Sequence, residues 1–275
     1  MTEAPNLTPE IAIQNLIQTE DLGLRYYAAW WLGKFRVNTP EAISALLLGL
    51  DDNRDIAPDG GYPLRRNSAK ALGKLGNAEA VLPLINALDC EDYYVRESAA
   101  QSLEMLGDKR AISPLSALLQ PAIQDDQLTA YGTDTVADKP HLYQPYEAIL
   151  EALGTLQAKN EVNLLKPFLK HPVPKVSYGA HRALYQLTGD NIYGEKLVEA
   201  LQGKELQLRR SALMDLGAMG YVKGATAIAS AYAENSLKLI AMKGLLEHQI
   251  NFDQQTNQSL SHDTIMIMDL MDSLL

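Results

Sequence analysis

A short helical motif recurs along this chain, and its spacing constrains the fold more than any other feature of the sequence. Its clearest copies are residues 24–35, 64–75 and 95–106. The second and third copies are 31 residues apart, which is the separation of Gly76 from Gly107. A period of this length is typical of helical solenoids, in which neighbouring helix pairs stack to form the core. The repeat therefore predicts an all-α fold, a curved α–α superhelix.

The repeats extend over residues 1–250, with insertions near residues 51–61 and 120–142. Long loops in a repeat array usually lie on one face and often carry function, although a flexible spacer is the alternative. From residue 251 the composition becomes polar, which predicts a linker. Helical spacing of the apolar residues that follow predicts a C-terminal helix within residues 251–275. That helix would either cap the array or dock on a partner.

The first copy of the motif differs from the later copies at its outward positions. Where the later copies are mostly polar, the first carries only aromatic residues: Tyr26, Tyr27, Trp30 and Trp31. At about 100° per residue, the core stripe of this helix is predicted to be Leu24, Ala28, Leu32 and Phe35. Four partly exposed aromatic side chains would form a patch of the size that usually marks a binding surface. The alternative is that a neighbouring helix covers them.

The second copy carries positive charge on the corresponding face. Arg66, Lys70 and Lys74 are four residues apart, so they lie along one side of their helix. Stacked beside the aromatic helix, they suit a flat conjugated ligand whose carboxylates meet Arg66 and Lys70 and whose rings meet the aromatic residues. The alternative is that these cations only keep the surface soluble.

The overall composition excludes several classes of function. The net charge is −10, so binding along a nucleic-acid backbone is not expected. No apolar run is long enough to span a bilayer, and the amino terminus lacks the segments of a signal peptide. These features predict a cytoplasmic protein without membrane insertion. Cys90 is the single cysteine, and the five histidines show no metal-ligand spacing, so neither a metal site nor a permanently bound cofactor is expected.

Residues 25–36, Arg-Tyr-Tyr-Ala-Ala-Trp-Trp-Leu-Gly-Lys-Phe-Arg, resemble the E-type subunits of the heterodimeric E/F phycobilin lyases of cyanobacteria. Residues 64–75 continue the resemblance, and HEAT-like helical repeats extend it over about residues 8–250. The double-tyrosine, double-tryptophan segment is its specific part. The repeat sequence Val-Arg-x-x-Ala-Ala and the Leu-Gly dipeptide occur in every short HEAT-like array.

The resemblance implies an enzyme that pairs with an F-type subunit and acts on phycocyanobilin as its substrate. The pair would attach this bilin to a cysteine of the apo-phycocyanin alpha subunit through a thioether bond. The bond forms when the acceptor thiol adds to the ethylidene group on ring A of the bilin. Because the nucleophile belongs to the acceptor, this chain needs no catalytic cysteine. Bilin removal or transfer, and the phycoerythrocyanin alpha subunit as acceptor, remain open.

Roles for individual residues follow from combining this resemblance with the surface described above. The aromatic residues would enclose the bilin, and Arg66 and Lys70 would bind its propionates. Acidic groups of the first insertion, which is adjacent in sequence to the aromatic helix, would hydrogen-bond the pyrroles and assist addition. The candidate catalytic residues are Asp55, Asp59 and Tyr62.

Two other classes of function are consistent with the same sequence. A HEAT-like scaffold that binds only proteins would use the aromatic face as an interaction hot spot. A chaperone would bind the apo-subunit of a pigment protein without contacting the pigment. The lyase differs from both because it accelerates thioether formation when the F-type partner is present.

Overall fold

The computed structural model describes residues 7–58, 60–134, 142–256 and 259–275. Its regular structure is almost entirely helical, which confirms the predicted all-α class. The α-helices are α1 (Pro9–Ile17), α2 (Leu22–Lys34), α3 (Pro40–Leu50), α4 (Pro63–Leu75), α5 (Val81–Ala87), α6 (Tyr93–Leu106), α7 (Ile112–Leu119), α8 (Ala130–Thr133), α9 (Tyr146–Thr155), α10 (Val162–Leu165), α11 (Pro174–Thr188), α12 (Asn191–Ala200), α13 (Leu206–Ala218), α14 (Ala225–Ser230), α15 (Asn235–Gln255) and α16 (His262–Asp272). The 3-10 turns are Ala78–Ala80, Lys109–Ala111, Gln120–Ala122, Lys159–Glu161, Lys166–Lys170 and Val222–Gly224. Two short strands, β1 (Ile123–Gln124) and β2 (Gln127–Leu128), form an antiparallel hairpin. Within the described ranges, no helix is long and apolar enough to cross a membrane.

Local sequence signals set the helix ends. Thr8 and Thr39 each precede a Pro-Glu pair, and their side chains accept hydrogen bonds from the backbone N–H groups of Ile11 and Ala42. This is the N-cap geometry that Thr-Pro-Glu predicts, because the cap oxygen satisfies a backbone donor that has no partner within the helix. At the other end, Gly76 terminates α4 in the left-handed conformation, with φ of 70°.

The chain divides into two compact units, a division that the repeat pattern did not predict. The first unit is built from the described residues within Met1–Pro121 and Asp134–Leu156, and the second from Ala122–Thr133 and the described part of Gln157–Leu275. The second insertion is thus split between the units, and residues 135–141 within it lie outside the described part of the chain.

In the first unit the helices form two layers. Helices α1, α3, α5 and α7 form one layer, and they pack respectively on α2, α4, α6 and α9, which form the other. We call the second the B layer, in which α2 packs on α4, α4 on α6 and α6 on α9. The exposed side of the B layer is called the B face, and it carries the outward positions of the repeated motif.

Small residues allow neighbouring B-layer helices to approach closely. A Cβ atom at Gly33 of α2 would lie 2.8 Å from the Cα and Cβ of Ala71 in α4. A Cβ atom at Gly73 would lie 2.5 Å from the side-chain oxygen of Ser102 in α6. Both separations are too short for a real side chain, so these contacts need glycine. The outward residues of α2, α4 and α6 therefore stand on closely spaced ridges.

An arginine at one position of the motif holds the backbone in both units. Arg25, Arg96 and Arg209 each precede the buried alanines of their helix, and each donates to main-chain carbonyls outside it. The acceptors are the carbonyls of Leu16 for Arg25, of Cys90, Glu91 and Tyr143 for Arg96, and of Gly203, Lys204 and Tyr232 for Arg209. The arginine is therefore structural in these three copies, whereas Arg65, at the same position of α4, donates to the side-chain oxygen of Asn53 at 2.9 Å.

In the second unit, α11 packs on α12 and α13, α13 packs on α15, and α15 packs on α14 and α16. The second insertion is tied to this unit by His171, which is buried. Its Nε2 donates to the carbonyl oxygen of Gly132 at 2.9 Å, and its Nδ1 accepts the N–H of Val173 at 3.0 Å. Burial lowers the pKa of His171, so the ring is neutral in this role.

The linker predicted from residue 251 is wrong for residues 251–255, because α15 continues to Gln255. The polar side chains there are used structurally. Asp253 is buried and accepts hydrogen bonds from the N–H of Ser261 and the hydroxyl of Thr264, which fixes the start of α16. Ser261 caps α16, because its side chain accepts a hydrogen bond from the N–H of Thr264. The chain leaves the helix at Thr256, and residues 257 and 258 lie outside the described part.

Candidate functional site

The aromatic helix α2 presents three of its four predicted aromatic residues to solvent. Tyr26, Tyr27 and Trp30 are 43%, 48% and 42% exposed. Tyr27 and Trp30 stack with their ring centroids 5.4 Å apart. Trp31 differs, because it is half-buried and packs against Phe35 with a centroid separation of 4.6 Å. Within the described residues, no helix covers Tyr26, Tyr27 and Trp30, so these rings are available for a ligand or a partner.

The core stripe predicted for α2 is partly wrong. Ala28 and Leu32 are buried as predicted, but Leu24 and Phe35 are exposed. The buried set is Arg25, Ala28, Ala29, Leu32 and Gly33. The stripe is rotated because Arg25 points inward, where its Nη2 meets Asp52 at 2.8 Å. A pattern that counts only apolar residues cannot detect a buried, paired arginine.

The basic residues of α4 lie beside the aromatic helix. Asn67 of α4 donates from Nδ2 to the main-chain oxygen of Tyr26 at 3.0 Å, which joins the two helices at the B face. Arg66 and Lys70 are half-buried, and Lys74 is exposed. Burial lowers the pKa of Lys70, and the charges of Arg66 and Lys74 lower it further. The cations are therefore close enough to repel one another, and an anion bound among them would relieve that repulsion.

Arg66 is held by an aromatic ring from the next helix. Its guanidinium carbon lies 5.0 Å from the ring centroid of Tyr94 in α6. The side chain of Arg66 is half-buried. An arginine that is stacked on one side and still partly exposed is suited to bind a carboxylate.

Beyond α4 the B face becomes acidic. The positions equivalent to Arg66 are Glu97 in α6 and Glu147 in α9, and the position equivalent to Lys70 is Glu151 in α9. The charge of Glu97 acts on Lys70 and raises its pKa, in opposition to the larger lowering effect of burial. Along α2, α4, α6 and α9 the face thus changes from aromatic to basic to acidic. Glu97 was visible in the aligned repeats, but the order of charges was not predicted.

The first insertion is organised around Asp52. This carboxylate is buried and bonds to Arg25 and Arg54, with nitrogen–oxygen distances of 2.8 Å in both cases. It also accepts the backbone N–H groups of Arg54 at 2.8 Å and of Asp55 at 3.1 Å. Burial opposes ionisation, but the hydrogen bonds from Arg25 and Arg54 prevail and hold the pKa of Asp52 well below its usual range. Asp52 is therefore an ionised structural centre of the loop.

The structure places one of the candidate catalytic residues, Asp55, inside this framework. Asp55 is 5% exposed and hydrogen-bonds to the backbone N–H of Leu64 at the start of α4. Its Oδ2 has no hydrogen-bond partner among the described residues, and burial raises its pKa. The insertion meets α2 at Arg25, on the buried side of the helix, whereas Trp30 is on the exposed side. Asp59 lies outside the described residues.

Tyr62 is 8% exposed and is engaged by groups outside the B face. Its hydroxyl donates to the carboxylate of Glu91, and its N–H donates to Asp92 at 2.7 Å. The hydrogen bond to Glu91 raises the pKa of the Tyr62 hydroxyl. These contacts connect the insertion to the turn before α6, and the catalytic role of Tyr62 stays a prediction.

Across the described ranges, no three or more side chains of histidine, cysteine, aspartate or glutamate are grouped so that they could hold a metal ion. What the structure brings together on the B face is a set of aromatic and charged side chains, and such groups can bind and orient a ligand.

Two family models match the N-terminal half of the chain. The model of the PBS lyase HEAT-like repeat matches residues 24–52, which include the aromatic helix, and the model of HEAT repeats matches residues 54–127. Full-length relatives extend the match. Phycocyanobilin lyase subunit alpha of Synechocystis sp. is 59% identical over 276 residues, covering 98% of this chain and 99% of that protein. The chain belongs to the phycocyanobilin lyase subunit alpha family.

A second relative and a solved structure place the chain within this lyase family. The bilin biosynthesis protein PecE of Nostoc sp. is 41% identical over 269 residues, covering 98% of this chain and 96% of PecE. A chain in the structure of the complex of CpcE and CpcF of phycocyanin lyase from Nostoc sp. PCC7120 matches with a TM-score of 0.88 and 56% identity. That match covers 99% of this chain and 97% of the other. The resemblance carried by residues 25–36 is therefore confirmed.

Proposed function

We propose that this chain is the alpha subunit of a heterodimeric bilin lyase that attaches phycocyanobilin to a cysteine of the phycocyanin alpha subunit. The observation that carries the proposal is the identity of 59% to a phycocyanobilin lyase subunit alpha across 98% of the chain. The identity to the bilin biosynthesis protein PecE is lower, at 41%, so the chain is more similar to the phycocyanobilin lyase alpha subunit. The partner is an F-type subunit, because the matching solved structure is a complex of CpcE with CpcF.

The reaction is the addition of a thiol to a carbon–carbon double bond. The sulfur of the acceptor cysteine bonds to the exocyclic carbon of the ethylidene group on ring A. The double bond between that carbon and the ring becomes a single bond, and the thiol proton is delivered, in net terms, to the ring carbon. No oxidant or reductant is needed. An acid that protonates or hydrogen-bonds the conjugated system assists the addition.

The residues of this chain contribute mainly to positioning. A free bilin is extended and flexible. Holding two reactants in a productive orientation lowers the reaction barrier by about 7–11 kcal/mol at most, and holding the bilin in one conformation beside the thiol uses this effect. Tyr26, Tyr27 and Trp30 offer exposed rings for stacking against the conjugated system. Arg66 and Lys70, on the adjacent helix, offer cations for the two propionates.

Trp31 has a different role in this proposal. It is half-buried against Phe35, so it supports the exposed rings and contributes less of its own surface to the bilin. The candidate acids stay Asp55, Asp59 and Tyr62; Asp55 is buried away from the exposed rings, and its role is tested below. Phycocyanobilin is a substrate and no permanently bound cofactor is involved. The reaction is proposed to take place in the cytoplasm, where phycobilisomes are assembled.

The proposal is tested by reconstituting the reaction. This chain is co-expressed with an F-type partner, then supplied with phycocyanobilin and the apo-phycocyanin alpha subunit. Covalent pigment is followed by zinc-induced fluorescence on a denaturing gel and by absorbance. We expect attachment well above the spontaneous rate, and we expect Trp30→Ala to reduce the rate about tenfold because a stacking surface is lost.

Phe252→Ala is the control. It removes an exposed aromatic ring from α15 in the second unit, which has no part in the proposed bilin contacts. It should leave the attachment rate within about twofold of the unaltered pair. No attachment above the spontaneous rate from a well-assembled pair would contradict the lyase and favour a scaffold or chaperone. Equal losses from Trp30→Ala and Phe252→Ala would contradict the role of the exposed rings.

A further inference from the structure

The stacked pair formed by Arg66 and Tyr94 is a feature that neither the repeat pattern nor the resemblance predicts. The guanidinium of Arg66 in α4 lies over the ring of Tyr94 in α6, with 5.0 Å between the guanidinium carbon and the ring centroid. The residue of α4 at the repeat position of Tyr94 is Pro63, so the repeat does not lead one to expect an aromatic ring here. The pair joins α4 and α6, the two helices between which the B face changes from basic to acidic.

The ring of Tyr94 is itself held in place. Its backbone N–H donates to the carboxylate of Asp92 at 2.8 Å, which fixes the first turn of α6. Tyr93 meets it edge to face, with the two ring centroids 5.4 Å apart. A ring supported in this way restricts the rotation of the guanidinium that lies over it, because the flat cation loses contact when it turns.

The charges around Arg66 limit which ligand group can bind there. Lys70 and Lys74 lie on the same helix, and their charges act on one another as described above. Glu97 lies one helix further along, at the position equivalent to Arg66. A carboxylate is attracted to the basic side and repelled from the acidic side. Arg66 is half-buried, and the partly exposed side chain can donate to that carboxylate, whereas its Nε is buried and cannot reach it.

We propose that Tyr94 is a positioning residue that holds the Arg66 guanidinium for one propionate carboxylate of the bilin. This inference rests on the proposed function and adds a residue that was not among its predicted contacts. Tyr94 acts through Arg66, so its loss weakens the binding of the carboxylate and leaves the stacking of the rings unchanged. The acidic positions beyond it keep the propionates on the α4 side of the B face.

The test compares two forms of the same bilin on the assembled heterodimer. Phycocyanobilin and its dimethyl ester share the conjugated system, but the ester carries no carboxylate charge. Dissociation constants are measured by absorbance titration for Tyr94→Leu, Tyr94→Phe and Arg66→Ala. We expect Tyr94→Leu to weaken binding of the free acid about three- to tenfold, which is the range of an arginine–aromatic contact. Tyr94→Phe retains the ring and should stay within about twofold.

None of these variants should change binding of the ester by more than about twofold, because the charged contact is absent from it. Tyr94→Leu should add little to the loss caused by Arg66→Ala, because both remove the same interaction. The control is Tyr232→Leu, which removes a comparable contact with Arg209 in the second unit, where the guanidinium carbon lies 5.6 Å from the ring centroid. It should bind both forms of the bilin as the unaltered heterodimer does.

Several outcomes would overturn the inference. Equal weakening of acid and ester by Tyr94→Leu would assign the ring to packing against the bilin or to the fold. Unchanged binding of the acid would show that Arg66 does not need the ring, and a loss caused by Tyr94→Phe would assign the effect to the hydroxyl. If the unaltered heterodimer binds neither form of the bilin and does not attach phycocyanobilin to the apo-phycocyanin alpha subunit, the proposed function is contradicted, and this inference with it.

Discussion

The B face and the first insertion are adjacent in sequence, but their polar groups have different partners. In the insertion, Asp52 is buried and bonds to Arg25 and Arg54. On the B face, Arg66 and Lys70 are half-buried beside exposed aromatic rings. The insertion pairs its central carboxylate within the protein, whereas the B face keeps cations and ring surfaces partly exposed.

This difference separates stability from binding within one unit. A buried charge that is already paired contributes to the fold, and removing its partner leaves an unpaired charge in a poorly solvated place. A half-exposed cation contributes little to stability but can bind an incoming carboxylate. Substitutions in the insertion should therefore appear in unfolding measurements, and substitutions on the B face should appear in bilin binding.

Asp52→Ala should have the largest effect. We expect it to lower the free energy of unfolding of the first unit by about 3–5 kcal/mol, because Arg25 stays charged and buried without its partner. Urea unfolding followed by tryptophan fluorescence measures this unit specifically, since Trp30 and Trp31 are the two tryptophans of the chain. Asp51→Ala is the control, because Asp51 is exposed at the end of α3 and should change stability by less than about 0.5 kcal/mol.

The contribution of Asp52 to the free energy of unfolding should decrease at acid pH. The pKa of Asp52 is lowered in the folded state, so its contribution to stability is complete above the unfolded value of about 4. That contribution is lost as the pH falls below 4 toward the folded pKa. Asp52→Ala should therefore flatten the acid side of the stability profile. A small loss of stability combined with a large loss of bilin attachment would contradict the comparison.

Charge reversal on the B face should have the next largest effect, and it should appear in binding. Arg66→Glu combined with Lys70→Glu is expected to weaken phycocyanobilin binding about tenfold to a hundredfold, because hydrogen bonds to charged groups contribute about 1.5–3 kcal/mol. The free energy of unfolding should change by less than about 1 kcal/mol, since both side chains are partly solvated. Absorbance titration of the assembled heterodimer measures the affinity.

The control for this prediction has the same change in net charge. Lys175 and Lys204 are exposed in the second unit, and reversing both should leave the affinity within about twofold. Unchanged affinity after reversal of Arg66 and Lys70 would remove the propionate contact from the proposed function. An equal loss in the control would assign the effect to the overall charge of the protein.

Much of the fold could be predicted because it depends on signals that repeat along the sequence. The 31-residue spacing indicated stacked helix pairs, and Thr8 and Thr39 indicated where two of the helices begin. Exposure of Tyr26, Tyr27 and Trp30 was one of the two alternatives that their register with polar residues in later copies left open, and the structure decides for it. The prediction was wrong at Leu24 and Phe35 because it assumed that only apolar residues face the core. It was also wrong at residues 251–255, where Asp253 is polar but buried.

The candidate site was less predictable because its contacts join residues that are far apart in sequence. Nothing local to Arg66 indicates that Tyr94 lies beneath it, since that contact depends on how α4 packs on α6. Adjacency in sequence suggested that Asp55 and Tyr62 would share a surface with the aromatic rings. The structure instead connects them with Leu64 and Glu91, because the insertion turns toward the start of α4 and the turn before α6.

Asp55→Asn should have the smallest effect, and it distinguishes a structural carboxyl from a catalytic one. The amide oxygen can still accept the N–H of Leu64, so we expect the free energy of unfolding at pH 7 to change by less than about 1 kcal/mol. Because the hydrogen bond at the start of α4 is retained and Asp55 is buried, the rate of bilin attachment should stay within about threefold. Asp55→Leu, which removes the acceptor, provides the comparison for the structural role.

The pH profile of Asp55→Asn has the opposite sign to that of Asp52→Ala. Burial raises the pKa of Asp55 in the folded state, so its contribution to stability is present below the unfolded value of about 4 and is lost as the pH rises through the folded value. The asparagine variant cannot ionise, so its stability relative to the unaltered chain should be highest at pH 7 and should decline as the pH falls. If attachment falls more than about tenfold while this stability pattern holds, Asp55 is the proton donor that the sequence predicts, because general acids typically contribute about a hundredfold or more.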